Sequence, residues 1–193
     1  ACVGLQIGNR RNVAQANGYV VQLGILGREA YNFDQADPRF IGEMLDGDLA
    51  QGSPFGGNFW TLPYSNLRLA NIVLGAVERV PEYTDEQRNA IVGFVKTIQA
   101  MDLYEITVTH DTNGTVIDAD RDIHDLAPLV DPDEAYAYIL DLLADAATAL
   151  DNAGEEFPFE LSSGYTDFDE PEAFRRLDHQ RSAFPAAARV PFV

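Results

Sequence analysis

The sequence predicts a mainly helical protein built from stacked helical hairpins with long irregular loops. Apolar residues recur at three- and four-residue steps in four segments, which is the spacing of one face of a helix. Two of these segments begin with strong helix-start signals, and only three residues separate two of them. With 193 residues and 46% hydrophobic content, the chain is expected to form one domain over residues 1–193.

The first predicted helix spans residues 12–31. Its apolar residues repeat at helical intervals: Val13, Ala16, Val20 and Leu23. Three glycines within it weaken the prediction, since each costs about 1 kcal/mol relative to alanine. After this helix, residues 34–58 are rich in Gly, Asp and Pro and are predicted to form a long irregular loop.

The second predicted helix spans residues 59–80 and buries a side that includes Leu67, Ala76 and Val77. Pro63 is expected in its first turn, where backbone amides have no partner within the helix. Pro81 then ends the helix. A third helix follows after a break of three residues, so the two are predicted to form an antiparallel hairpin of the tetratricopeptide sort.

The third helix begins with a capping-box pattern, in which the side chains of Thr84 and Gln87 each accept the other residue's free backbone amide. Its apolar stripe runs through Ile91, Ile98 and Met101. We expect it to end before the β-branched run at 106–109, because such residues are less favourable in helices.

The fourth helix has the clearest start. Asp131 is the predicted N-cap and Pro132 the first helical residue, while the acidic residues that follow suit the helix dipole. An apolar stripe runs to Leu150, and Gly154 is expected to close the helix. In the connection before it, Asn113 and Gly114 predict a turn, and residues 115–117 form at most a short strand.

Negative charge is concentrated in one part of the chain. Residues 81–170 contain three Lys/Arg against 22 Asp/Glu, whereas residues 1–80 contain six against seven. The acidic part would repel a phosphate backbone, so nucleic acid and anionic lipid head groups are poor partners. No uncharged apolar stretch reaches the roughly 18 residues that a transmembrane helix needs.

The N-terminus leaves two questions open. The first residues lack the charged and apolar regions of a signal peptide, so either the mature chain begins here or an upstream part is missing. Cys2 is the only cysteine, which excludes an internal disulfide and a cysteine-rich metal site. It is either the lipidated cysteine of a lipoprotein or a free thiol.

Several ordered segments resemble the SusD/RagB family. Residues 59–71 (FWTLPYSNLRLAN) are similar to its W-x-x-x-Y-x-x-(I/L)-x-x-A-N signature, and residues 93–104 to its next helix. Residues 131–146, with DPDEAY and DLLADA, resemble the family's following helix, which carries an I-x-x-D-L-x-x-A pattern. Residues 161–165 and Phe168 resemble a later segment, so the similarity covers about 27–174.

The resemblance implies a lipid-anchored protein on the cell-surface side of the bacterial outer membrane. Such a protein holds glycan or peptide nutrients for import through a SusC-like TonB-dependent transporter. Family members are several hundred residues long, so this chain corresponds to an N-terminal portion. Residues 175–193 depart from the family pattern and are expected to form an atypical or poorly ordered tail.

The predicted ligand-binding residues lie at the start of the second helix and in the loop before it. Aromatic rings stack on the apolar faces of sugars, and an amide side chain can bind a pair of hydroxyls. These residues are Phe55, Asn58, Phe59 and Trp60. Tyr64 and Asn71 share a helix face with Trp60 and are expected to pack between helices.

Other functions have weaker sequence support. The alternating carboxylates from Asp118 resemble the first ligands of an EF-hand, but Ile123 and Leu129 replace its glycine and final glutamate, so no metal is predicted. Glu155, Glu156 and Glu160 are the candidates for a glycoside hydrolase, but their spacing fixes no carboxyl separation. No cofactor or catalytic motif is present, and the remaining alternative is a helical adaptor for a protein partner.

Overall fold

The computed structural model describes residues 1–32, 35–50, 52–121, 124–162, 165 and 171. Over these residues the protein is mainly helical, so the predicted fold class is confirmed. Its helices are α1 (Cys2–Ala14), α2 (Tyr19–Leu26), α3 (Arg39–Gly42), α4 (Pro54–Val77), α5 (Asp85–His110) and α6 (Pro132–Asp151). A single 3-10 turn, Asp111–Asn113, follows α5 in this part of the chain.

Helix α5 lies at the centre of the fold, between α4, α6 and α1. Phe94, Val95 and Ile98 on α5 are completely buried and belong to a cluster that also contains residues of α4 and α1. The start of α5 contacts the end of α4, and the end of α5 contacts the middle of α4. The two helices therefore form the antiparallel hairpin that the sequence predicts.

The predicted N-caps of α5 and α6 are confirmed by their hydrogen bonds. The Thr84 hydroxyl accepts from the Gln87 amide at 3.2 Å, and the Gln87 side chain accepts from the Thr84 amide at 3.1 Å. Asp131 Oδ1 accepts from the Glu134 amide at 2.9 Å. Helix α6 ends at Asp151 with Asn152 as its C-cap, so Gly154 does not close it.

The predicted first helix is wrong, because α1 and α2 replace it. A turn separates the two helices, and the Gly18 amide closes it by donating to the Gln15 carbonyl at 2.8 Å. Three of the buried residues of α1 are polar: Gln6, Asn9 and Asn12. A search for apolar periodicity cannot find a helix whose buried face is largely amides.

Helix α4 begins five residues earlier than predicted, so the loop expected over 34–58 is wrong at its end. Ser53 caps the helix by accepting from the Phe55 amide at 3.3 Å, and Pro54 occupies the first helical position. The short helix α3 also lies within that expected loop. Pro63 consequently lies in the interior of α4 and not in its first turn.

Helix α5 continues through the β-branched run at which we expected it to end. Ile106 is completely buried, and burial of this kind outweighs a small unfavourable helix propensity. The Thr107 hydroxyl donates to the Leu103 carbonyl at 2.8 Å, and the Thr109 hydroxyl donates to the Glu105 carbonyl at 2.8 Å. Both hydroxyls are therefore satisfied within the helix.

The connection between α5 and α6 contains one isolated antiparallel bridge, Thr115 with Val130. The short strand predicted at 115–117 is thus reduced to one bridged residue. The tail predicted at 175–193 lies outside the described residues.

Close packing of α5 on α6 gives the first testable prediction. A Cβ on Gly93 would lie 3.0 Å from the Ala146 carbonyl oxygen and 2.8 Å from Leu150 Cδ2. Gly93→Ala should therefore lower the free energy of unfolding by about 1–3 kcal/mol through overpacking, despite the higher helix propensity of alanine. Urea unfolding followed by circular dichroism measures this change.

Gly75→Ala on α4 is the matched control, because a Cβ at that exposed position meets nothing within 4 Å. It should raise the free energy of unfolding by about 0.5–1 kcal/mol. An equal gain in both variants would contradict the close contact at Gly93.

Candidate functional site

An open groove of about 450 Å³ lies between α4 and the segment 116–127. Trp60, Tyr64 and Arg68 line it from α4, at successive turns of the helix. Asp118, Arg121, Asp125 and Leu126 are among the residues that line it from the opposite segment. The groove thus has one wall on a long helix and another on a connecting segment.

Trp60 forms part of the floor of the groove and is partly exposed. Its ring lies 4.6 Å from the Tyr64 ring and 4.9 Å from the His110 ring, centroid to centroid. These contacts hold the indole between α4 and the end of α5. A fixed, half-exposed indole is the kind of surface on which a sugar or an apolar side chain can stack.

Tyr64 connects the two walls. Its hydroxyl donates to the Val116 carbonyl at 3.0 Å and accepts from the Val116 amide at 2.7 Å. Burial raises the pKa of Tyr64 to about 12, although the hydrogen bond with Val116 opposes the shift. The phenol therefore keeps the proton that it donates to Val116 at any ordinary pH.

The charged groups in the groove are partly neutralised by each other. Arg121 Nε lies 2.5 Å from Asp118 Oδ2, and Arg121 Nη1 lies 3.2 Å from Asp125 Oδ2. All three side chains are exposed, so these pairs contribute little to stability. Asp118 and Asp125 are therefore solvent-exposed carboxylates, and Arg121 lies between them.

The predicted ligand-binding residues do not share one surface. Phe55 is only 1% exposed and packs on Phe40, with ring centroids 4.7 Å apart. Phe59 is also buried, and its ring lies 6.0 Å from that of Tyr19. Asn58 is partly exposed but does not line the groove, so Trp60 is the one predicted residue that does.

The groove wall at 116–127 was not predicted to bind ligand. Asp118 lies three residues before Arg121, and Asp125 lies four residues after it. This spacing, which allows both ion pairs, is the one feature of the sequence that could have indicated an ordered wall here. The Leu126 side chain also indicates a binding surface, because it is apolar and 88% exposed, but its exposure is known only from the fold.

The residues considered for other chemistries lie elsewhere. Glu155, Glu156 and Glu160 are exposed and do not line the groove. Among the residues that the structure describes, no three His, Cys, Asp or Glu side chains are grouped closely enough to hold a metal ion. In the same part of the chain, no helix has both the length and the hydrophobicity needed to cross a membrane.

Cys2 is buried, and its side chain belongs to the cluster formed by α1, α4 and α5. Burial raises the pKa of the Cys2 thiol, although the N-terminal charge opposes the shift. A lipid on this sulfur would require the first turn of α1 to leave that cluster.

Comparisons of this chain with protein-family models, with curated proteins and with solved structures found no match. The SusD/RagB resemblance therefore stays a prediction that rests on the sequence motifs alone.

The bridge between the groove walls gives a second prediction. Tyr64→Phe removes two hydrogen bonds to Val116 and should lower the free energy of unfolding by about 1–3 kcal/mol. The Val116 amide should also exchange with deuterium faster, as measured by NMR. Tyr83→Phe removes a phenol between α4 and α5, away from the groove, and should leave Val116 unchanged. Equal exchange in wild type and Tyr64→Phe would contradict the bridge.

Proposed function

We propose that this protein is not an enzyme and captures a glycan or peptide nutrient at the cell surface. The groove at Trp60 is the binding site in this proposal. The proposal joins the SusD/RagB resemblance of residues 59–71 to one observation, namely that Trp60 of that motif is part of an open groove.

The size and chemistry of the groove support this proposal. A volume of about 450 Å³ falls within the range of small-molecule sites and suits one or two sugar rings or a short peptide segment. Trp60 and Leu126 offer apolar surface, while Arg68, Asp118 and Arg121 offer hydrogen-bonding groups. This mixture matches the apolar faces and hydroxyl edges of a saccharide, and equally the side chains and backbone of a peptide.

The cellular location and the protein partner in this proposal derive from the SusD/RagB resemblance. The protein would lie on the outer face of the bacterial outer membrane and pass its ligand to a SusC-like TonB-dependent transporter. A lipid would anchor it there. The buried position of Cys2 argues against that residue as the attachment point unless the first turn of α1 opens.

A protein-binding adaptor is the second candidate. Its support is the exposure of Leu126 in the same groove as Trp60, since apolar surface that lines a groove can also bind a protein partner.

A binding experiment separates these two functions. The purified chain is screened on a glycan array and against a library of short peptides, and hits are measured by isothermal titration calorimetry. Trp60→Ala should weaken binding of a hit by about tenfold, because one stacking contact is worth about 1 kcal/mol or more. The thermal melt reports any loss of stability, since Trp60 also packs on Tyr64.

Two leucine variants control for that loss. Leu126→Asn changes a rim residue that is 88% exposed, so it should weaken binding with no change in the melting temperature. Leu129→Asn lies in the same segment and is exposed, but it does not line the groove and should bind as wild type does. No affinity for any glycan or peptide, together with capture of a protein partner that Leu126→Asn abolishes, would favour the adaptor.

A further inference from the structure

Two carboxyl side chains are buried on one face of α5. Asp102 is completely buried and Glu105 is 5% exposed, and their spacing of three residues places them one turn apart. No ion pair among the described residues includes either carboxyl. A buried carboxylate without a cation is costly unless hydrogen bonds compensate for the lost water.

Asp102 is compensated by amides from two other helices. Asn9 Nδ2 on α1 donates to Asp102 Oδ1 at 3.1 Å, and Asn66 Nδ2 on α4 donates to Asp102 Oδ2 at 2.6 Å. A third amide, Asn12 on α1, also favours the charged form, although its buried Nδ2 makes no hydrogen bond. Asp102 thus ties α1 to the hairpin of α4 and α5.

Both donating amides are held in one orientation. The Tyr165 hydroxyl donates to Asn9 Oδ1 at 2.5 Å, and Asn66 Nδ2 also donates to the Leu5 carbonyl at 3.4 Å. A side chain at Gly8 would collide with Asn66 Oδ1, so the glycine allows α1 and α4 to approach. The NH₂ groups therefore face Asp102, and each of its two carboxyl oxygens accepts one hydrogen bond.

Glu105 has no comparable donors. No hydrogen bond from the described residues reaches its carboxyl, and the charge of Asp102 lies one turn away. Burial, followed by the charge of Asp102, raises the pKa of Glu105 to about 8. Burial also raises the pKa of Asp102, to about 7, against the opposing effect of the three amides.

We propose that Asp102 and Glu105 form a proton-linked pair that controls how firmly helix α1 is attached. Near neutral pH the pair holds at most one negative charge, on Asp102, and Glu105 keeps its proton. Ionisation of Glu105 places two like charges in the interior and weakens the attachment of α1. This device does not depend on the groove or on the identity of its ligand.

The groups around the pair do not supply a compensating charge. Tyr19 on α2 and Tyr136 on α6 have pKa values raised above 10, chiefly by burial, and stay neutral over the range considered. The packed elements carry further titratable side chains: Cys2, Arg10 and Arg11 on α1, Tyr64 and Arg68 on α4, Asp85, Glu86, Arg88, Lys96, Tyr104 and His110 on α5, Asp133, Glu134, Tyr138, Asp141, Asp145 and Asp151 on α6, and Glu160 and Tyr165 in the last described segment. Arg10, Arg11, Arg68 and Glu160 are exposed.

The direction of the pH effect follows from the raised pKa values. The usual pKa values are 3.8 for Asp102 and 4.5 for Glu105, so the folded chain binds these two protons more tightly than the unfolded chain does. The stability that they contribute is complete below about pH 4. It is lost as the pH rises through the folded pKa values of about 7 and 8. Opening of α1 alone exposes the Asp102 carboxyl to water and follows the same dependence.

Release of α1 would also break its hydrogen bonds to the last described segment. Gln6 Nε2 donates to the Glu160 carbonyl at 3.1 Å, and Gln6 Oε1 accepts from the Ser162 amide at 2.6 Å. Together with the bond from Tyr165 to Asn9, these contacts make α1 a clasp between the hairpin and residues 160–162 and 165.

Hydrogen exchange of the full chain tests the proposal. Protection of amides in α1 is measured by mass spectrometry at pH 6, 7.5 and 9, corrected for intrinsic exchange, with α6 as the internal reference. Protection of α1 should fall by at least about tenfold between pH 6 and pH 9 relative to α6. A ratio that does not change with pH would overturn the proposal.

Three variants locate the effect. Glu105→Gln should lose less protection of α1 between pH 6 and pH 9 than wild type does, because it removes the second charge and keeps the shape of the side chain. Asp141→Asn removes an exposed carboxylate of α6 and should behave as wild type does. Asp102→Asn presents an NH₂ group to one of two donors and should loosen α1 at every pH. If Glu105→Gln loses protection as wild type does, the pair is not the cause.

A direct titration of the wild-type chain tests the proposal even if these variants fail to fold. The side-chain carboxyl carbons of the wild-type chain are followed by ¹³C NMR from pH 4 to pH 9. Two carboxyls that titrate above pH 6 support the proposal, and Glu105→Gln assigns one of them. Titration of every carboxyl below pH 6 would refute it.

Discussion

The fold depends on burial of α5 over most of its length. Because α5 packs against α1, α4 and α6, each of its faces must complement a neighbouring helix. Over most of its length no face is left for solvent. Two faces are apolar and pack through residues such as Phe94 and Leu103. The third carries Asp102 and Glu105, which require polar partners in the interior. The amides of Asn9 and Asn66 meet the requirement of Asp102, so a polar network and not the hydrophobic effect alone orients α1.

The same central helix determines the groove. His110 at the end of α5 contacts the indole of Trp60, and the phenol of Tyr64 fixes Val116 of the opposite wall. Beyond Val116, the described residues of that wall form few backbone hydrogen bonds with each other. The bridge from Thr115 to Val130 closes the segment, and Arg121 orders its middle. A binding surface with one wall on a buried helix pair and another on a connecting segment can change its specificity by loop substitutions without loss of the core.

The parts of the fold that could be predicted are those specified locally. The caps at Thr84 and Asp131 require residues only three positions apart, and both are observed. Helix α1 could not be predicted, because its buried face is polar. The burial of these amides is explained only by the contact with Asp102 on α5. The burial of Phe55 could not be predicted either, so Phe55 was grouped with Trp60 among the predicted ligand-binding residues. Their separation, one in the core and one in the groove, depends on α3 supplying Phe40 as a partner for Phe55.

A polar clasp has a property that an apolar one lacks. Burial of apolar surface is insensitive to pH, so a helix held only by leucines would stay attached under all ordinary conditions. Helix α1 contributes Leu5 and Cys2 to the core, but its remaining buried side chains are amides that bind a carboxylate and the backbone of residues 160–162. The strength of these bonds depends on the charge of their acceptor. Because the second carboxyl of α5 lies one turn away with no donor of its own, the attachment of α1 is the part of this fold that protons are able to control.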